Sequence, residues 1–411
     1  MIINKKISLY TKISKIIDIK TMLITLALVV AGLICLYSAV INNLPDKFNM
    51  QLIWAIIGFF VMLGFARIPL NTIKDFSYIF YIIMVIALAG LFIVGTKNYG
   101  TTGWYSFGPF SFQPAEFTKI ALILAVAKFL STKGNSVANM LDIGKLIIMF
   151  AIPFGLILKQ PDLGTALTLL VLFLGLLFWA GADPYYGVMM IASLIIFIAS
   201  LMSFEAVLIT GFITAIVLLF FKKKIYIYGI SIIILISIGI SSESIFSRLG
   251  DHQQSRILVF LYPDKDIQNT GYNLNQSKIA VGSGGLVGKG YMQGSINQNR
   301  YIPKHYNDFI YSVPSEEFGF LGSFLILLLL FILCYRGVHI AYQSKDIFSS
   351  LIAFSSSLIL FIHIFYNIGM VLGLFPIMGI PLPFFSHGGT FLMSNFIYVS
   401  FIMNVHRSNN Q

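Results

Sequence analysis

The chain has 411 residues, 57% of them hydrophobic and only 10% charged, with 38 Phe and a mean hydropathy of +0.87. Soluble domains carry about a quarter of their residues as charges, so this composition excludes a soluble globular protein and indicates an integral membrane one. The net charge of +11 belongs in loops that meet membrane lipid headgroups rather than on a nucleic-acid surface, and the two cysteines, Cys35 and Cys334, form neither a metal-ligand spacing nor a disulfide framework.

A hydrocarbon core about 30 Å thick takes roughly 20 apolar residues per helical crossing. Twelve stretches qualify in chain order: 21–41, 50–66, 77–95, 114–131, 144–159, 164–181, 186–203, 206–221, 225–241, 317–335, 350–373 and 388–405. The fold predicted is an all-α polytopic helical bundle. Residues 1–20 form an N-terminal segment, 21–241 hold helices one to nine, 242–316 form one large loop, 317–405 hold the last three helices, and 406–411 form a tail. Lys5, Lys6, Lys12, Lys15 and Lys20 precede the first stretch, which is too long for the apolar region of a cleaved signal peptide.

Short cytoplasmic loops collect Lys and Arg, so the basic residues predict orientation. With the N-terminus inside, sixteen of the 27 basic residues fall in inside segments, including Lys222 to Lys224, Arg336 and Arg407, against Lys47, Lys97 and Lys159 in short outside loops. The loop 242–316 is then extracytoplasmic. Its aliphatic and aromatic residues, among them Ile257, Phe260, Tyr301 and Phe309, predict an ordered loop resting partly on the membrane and no separate soluble domain.

Several polar residues sit where lipid-facing helix would not carry them. Glu116 and Lys119 share one helix face and can neutralise each other, and Asp162 follows Pro161 as Glu116 follows Pro114. A helix start explains each acid by itself. It does not explain why both helices begin on the predicted outer side, as does a Pro- and Gly-rich break at Gly373 to Gly389. Irregular backbone at membrane depth needs protein or a wet cavity beside it, so these features predict one polar cavity opening outward. In the loop, Arg256, Asp264, Asp266, Gln276, Ser277 and Lys278 place cation, acid, amide and hydroxyl close together in sequence. Solvated charge and recognition of phosphate and sugar both fit that stretch. The glycines from Gly282 to Gly290 lack the Gly-Lys-Ser/Thr ending of a nucleotide loop, and the six histidines show no metal spacing, which leaves packing as their ordinary role.

Taken together, the motifs resemble the SEDS (shape, elongation, division and sporulation) family, the RodA type more than the FtsW type. The resembling pieces are Gln113-Pro114-Ala115-Glu116 with Lys119, Gln160-Pro161-Asp162-Leu163-Gly164-Thr165, and Gly271-Tyr272 through Gln276-Ser277-Lys278. Others are Gly288-Lys289-Gly290, Asp308-Phe309 with Glu316-Glu317, and Asn367-Ile368-Gly369-Met370 through Pro383-Phe384 to Gly388-Gly389. The resemblance runs from about residue 20 to 405. It implies a core of ten helices, with an added pair here at about 206–221 and 225–241.

The implied activity is that of a peptidoglycan glycosyltransferase that polymerises lipid II into β-1,4-linked glycan at the outer face of the bacterial cytoplasmic membrane, for elongation and shape. The resemblance makes Asp266 the catalytic residue. It implicates Glu116, Lys119 and Asp162 in activity or substrate binding and implies a class B penicillin-binding protein as the partner; Arg256, Gln276, Ser277, Lys278, Asp308 and Ser386 are the further residues expected to bind substrate. Negative charge developing on the pyrophosphate has four candidate partners: Arg256, Lys278, Lys119 or a divalent cation. No other cofactor is implied. Two other readings compete: a transporter or flippase of the lipid-linked precursor, which twelve spans and a polar cavity also suit, and a non-catalytic scaffold of the wall-synthesis complex.

Overall fold

The computed structural model describes residues 18–42, 44–98, 101–108, 110–262, 270–295, 301–302 and 305–411. Asp264, Asp266 and the lysines before residue 18 lie outside them. Twelve long helices occupy the twelve predicted stretches. They are α1 (Ile19–Val40), α2 (Pro45–Phe65), α3 (Leu70–Val94), α4 (Pro114–Ser131), α5 (Met140–Lys159), α6 (Leu163–Trp179), α7 (Pro184–Met202), α8 (Phe204–Leu219) and α9 (Ile225–Ser247), then, beyond the loop, α13 (Gly319–Gln343), α14 (Ile347–Val371) and α15 (Gly389–Asn409). Eight of these are long and apolar enough to span a membrane, and α6 and α8 are shorter apolar helices of 17 and 16 residues.

The other two, α4 and α15, form the centre. Helix α4 packs against α3, α5, α6, α14 and α15 and buries nearly every residue, its charged Glu116 and Lys119 among them. Helix α15 likewise buries Ser394, Asn395, Ser400 and Asn404. Some helices start earlier than hydropathy alone indicates, because a polar first turn continues the hydrogen-bond ladder outside the apolar stretch, with or without a side-chain cap. Asp18 accepts from the Thr21 amide at the start of α1, and α3 begins at Leu70, directly after Pro69, rather than at residue 77.

Between α3 and α4 the chain forms a three-stranded antiparallel sheet, β1 (Thr96–Asn98), β2 (Thr101–Phe107) and β3 (Phe110–Phe112), which the sequence reading did not anticipate. Tyr105 pairs with Phe112 and Phe107 with Phe110, and Gly108 takes φ +60° to start the turn between them. Among its described residues the large loop contributes the helices α10 (Asp251–Leu261), α11 (Thr270–Ser283) and α12 (Ser312–Glu317). The glycine run is structural. Lys289 and Gly290 donate backbone hydrogen bonds to the Glu316 and Glu317 carbonyls, and a Cβ on Gly284 or Gly288 would collide with the α12 backbone. The Lys289 ammonium also holds Glu316 Oε1 at 2.7 Å.

Helices α7, α8 and α9 have their own small core of Tyr185, Met189, Ala192, Ile196, Leu218 and Leu235, separate from the main one. The predicted added pair therefore packs with α7 as a three-helix appendage. Lys223, between α8 and α9, pairs with Asp183 at the start of α7, which puts these two turns at the same end. Arg336 pairs with Asp18, and Arg407 donates to the Arg67 carbonyl, so chain segments predicted to share a side do meet.

Candidate active site

A cavity of about 1080 Å³ opens at the end of the bundle that carries the sheet and the α10–α12 helices. Pro114 starts α4 and sets Glu116 in its first turn, and Asp162 caps α6, accepting from the Thr165 amide at 3.0 Å and the Thr165 hydroxyl at 2.8 Å. Both carboxylates reach the cavity wall, as do Arg256 from α10, Asn273 from α11, and Asp308. The Pro- and Gly-rich segment closes one side through Ile377, Gly379, Pro381 and His387. Trp54, Trp104, Tyr306 and Phe391 add aromatic surface.

Long-range hydrogen bonds fix this irregular backbone. The Asn367 amide donates to the carbonyls of Asp308 (2.7 Å) and Ile380 (2.8 Å), so one side chain ties α14 to two cavity segments. Gln51 accepts from the Gly388 amide and donates to the Ser386 carbonyl, and Thr390 donates to the Ser111 carbonyl in the sheet. Gly389 carries no side chain, and Trp54 occupies the space one would fill.

Of the expected site residues that are described, the structure brings Glu116, Asp162, Arg256 and Asp308 to one cavity and sets Lys119, Gln276, Ser277, Lys278 and Ser386 apart from its lining; Asp266 lies outside the described residues. Lys119 is fully buried behind Glu116, its ammonium 2.8 Å from Glu116 Oε1. Ser277 donates to the Leu274 and Val371 carbonyls, which joins α11 to the end of α14. Ser386 accepts from the Leu382 amide and donates to the Asn307 carbonyl. Both hydroxyls thus serve the backbone. Gln276 and Lys278 lie on α11 away from the cavity lining, and the Lys278 chain crosses Gly373. Sequence reasoning missed Trp54, Trp104 and Asn273, and it set aside His363, whose ring approaches Lys119. Among the described residues, no group of three or more His, Cys, Asp or Glu side chains could hold a metal ion.

Charge in the cavity is tuned by burial. Desolvation pushes the Asp308 carboxyl up to about 6, with Asp162 adding to the rise and Arg256 opposing it. Burial likewise lowers Arg256, while Asp308 and Asp162 support its charge. His387 is held down at about 4 by burial and then by Lys47. For Asp308 the folded state keeps the proton more tightly than the unfolded chain does. Its contribution to stability is therefore fully present below about 3.8 and is lost as pH rises through about 6. Asp308→Asn is expected to be more stable than the parent at pH 7.5, by on the order of 3 kcal/mol, and so to melt higher there, and to match it near pH 3.5. Thermal melting of purified protein at the two pH values checks this; an equal shift at both removes the assignment.

A family model described as cell cycle protein, FtsW/RodA/SpoVE, matches residues 19–210 and 186–411. The peptidoglycan glycosyltransferase MrdB of Escherichia coli (strain K12) is 31% identical over 395 residues, covering 95% of this chain and 93% of MrdB. The stage V sporulation protein E of Bacillus subtilis is 32% identical over 404 residues, with 95% and 97% covered. Among solved structures, a chain of a peptidoglycan synthase complex aligns with a TM-score of 0.73 at 24% identity, over 96% of this chain and 99% of that one. The Thermus thermophilus rod shape determining protein RodA aligns with a TM-score of 0.63 at 22% identity, over 95% and 97%.

Proposed function

Because the chain belongs to the FtsW/RodA/SpoVE family of cell cycle proteins, we propose that its cavity is where a lipid-linked sugar is joined to a growing glycan, with Asp266 as the base. Its activity is that of a peptidoglycan glycosyltransferase, a hexosyltransferase acting on lipid II. The observation that supports this site is the position of the two helices flanking Asp266. Arg256 on α10 and Asn273 on α11 both line the cavity, and α10 is followed by Tyr262 while α11 begins at Thr270. Three residues lie between Asp266 and Tyr262 and three between Asp266 and Thr270, so four steps of chain keep it within reach of about 14 Å from either.

In the proposed step, Asp266 takes the proton from the 4-hydroxyl of the accepting lipid II. The freed oxygen attacks the anomeric carbon of the growing chain's lipid-linked sugar, and the bond from that carbon to the pyrophosphate oxygen breaks. Undecaprenyl pyrophosphate leaves with the electron pair. Attack opposite an α-linked leaving group gives the β-1,4 linkage in one displacement. Of the four partners for the departing charge, Arg256 is best supported, since it lines the cavity whereas Lys119 is engaged by Glu116 and Lys278 points elsewhere. A half-buried guanidinium placed ahead of the reaction stabilises that charge without reorganisation.

The proposed setting is the bacterial cytoplasmic membrane, with the N-terminus inside and the cavity outside, in complex with a class B penicillin-binding protein and in the service of elongation. Purified chain with such a partner and labelled lipid II in detergent is expected to make glycan chains, read as a ladder on a gel. A flippase instead moves lipid II across sealed vesicles and makes no polymer, and a scaffold does neither.

A further inference from the structure

We infer that His363 is a positioning residue for this site, acting through Lys119 to hold the Glu116 carboxylate at the cavity wall. The inference rests on the proposed use of the cavity, and it concerns a buried histidine whose two ring nitrogens both face polar partners. His363 lies on α14 between Ile362 and Ile364, buried to 3% exposure, and Lys119 and Glu116 on α4 are buried to 0% and 3%. The Lys119 ammonium stands 2.8 Å from Glu116 Oε1 and 3.1 Å from His363 Nε2.

An ammonium has donors and no acceptor, so His363 Nε2 must present its lone pair to Lys119. The ring proton then sits on Nδ1, which faces the Pro381 carbonyl at 3.3 Å. One neutral tautomer therefore satisfies both sides of the ring, and the other satisfies neither. A protonated ring would set a second cation against Lys119. The geometry makes His363 an acceptor.

The chain of contacts has a direction. Pro381, Glu116 and Phe391 line the cavity, while Lys119 and His363 lie behind them. Ser394 of α15 approaches the second carboxylate oxygen of Glu116 at 3.3 Å, and the His363 ring lies 5.1 Å from the Phe391 ring. Glu116 is thus held through one oxygen by Lys119 and through the other by α15. His363 fixes Lys119 against the same irregular segment whose Pro381 lines the cavity. Without the imidazole acceptor, the buried ammonium loses one of its two side-chain partners and can no longer hold Glu116 in one place.

Two substitutions separate this from simple packing. His363→Gln keeps an acceptor for Lys119 and a donor for Pro381, whereas His363→Phe fills similar volume and offers neither. Because Asp266 is assigned the proton transfer and Glu116 a binding role, the defect should fall on KM. With the purified complex and a lipid II concentration series, His363→Phe is expected to raise KM about tenfold with kcat within about twofold of the parent, and His363→Gln to stay within about twofold in both. In parallel, acetylation of Lys119, read by mass spectrometry, is expected to be about fivefold faster in His363→Phe and unchanged in His363→Gln. His363→Leu serves in the same way if the Phe variant does not accumulate in membranes. Parental KM and labelling in both acceptor-free variants overturn the inference, as does a Gln variant as impaired as the Phe variant. The labelling needs no turnover, so a parent that makes no glycan would defeat the assigned activity while the hold on Lys119 is still measured.

Discussion

Asp266→Asn is expected to lower the rate of glycan polymerisation by at least about 10²-fold, and as much as about 10⁴-fold, while the protein still melts and binds its transpeptidase like the parent. Asn has nearly the same shape as Asp and makes similar neutral contacts, so a loss confined to turnover isolates the proton transfer. The control is Asp308→Asn. Asp308 lines the same cavity and its carboxyl is raised to about 6, which also suits a base near neutral pH. If Asp308 carried the step, its Asn variant would be the inactive one and Asp266→Asn would keep most of its rate. Single-turnover measurements on both variants decide between them.

Lys119→Met is expected to be the most destabilising single change in the membrane core, costing about 3 to 5 kcal/mol, because it leaves the Glu116 carboxylate buried without its cation. The physical test is the double variant. Glu116→Gln with Lys119→Met removes both charges together and should recover most of the lost melting temperature, since no uncompensated charge remains. It should not recover polymerisation, because the cavity then lacks the acid at its wall. Equal melting of Lys119→Met and the parent would show that the pair contributes nothing to the fold. Recovery of activity in the double variant would show that Glu116 has no part in binding.

The helical stretches were legible because lipid imposes a simple rule: each crossing satisfies its own backbone and hides it behind apolar side chains. The rule locates hydrocarbon, not hydrogen bonds, which is why α3 begins at Leu70, several residues before its apolar stretch. It also has nothing to say about the sheet at 96–112, where strands of three to seven residues alternate Thr, Trp, Tyr and Phe between two helices. The cavity was partly legible. Pro114 before Glu116 and Pro161 before Asp162 marked acids at two helix starts, and sidedness brought them together.

What escaped the sequence were the partners of each polar group. Ser277 meets the Val371 carbonyl 94 positions away, Ser386 meets Asn307 across 79, and Lys119 meets His363 across 244. No local pattern encodes such contacts. A serine in a motif that resembles a binding loop and a serine that ties two backbones together look the same until the chain is folded. The same holds for His363, which sits in an ordinary apolar helix and becomes informative only when α4 is beside it.

The cavity must hold the lipid-linked sugar for any of these steps to occur there, and photocrosslinking measures that directly. A lipid II analogue with a photoreactive group on its sugar, irradiated with the purified complex and mapped by mass spectrometry, should label cavity segments containing Gln113, Arg256, Asp308 and Gly379. Competition by unlabelled lipid II should remove the label. Labelling confined to the appendage of α7, α8 and α9, or to the opposite end of the bundle around Asp18 and Arg336, would contradict it.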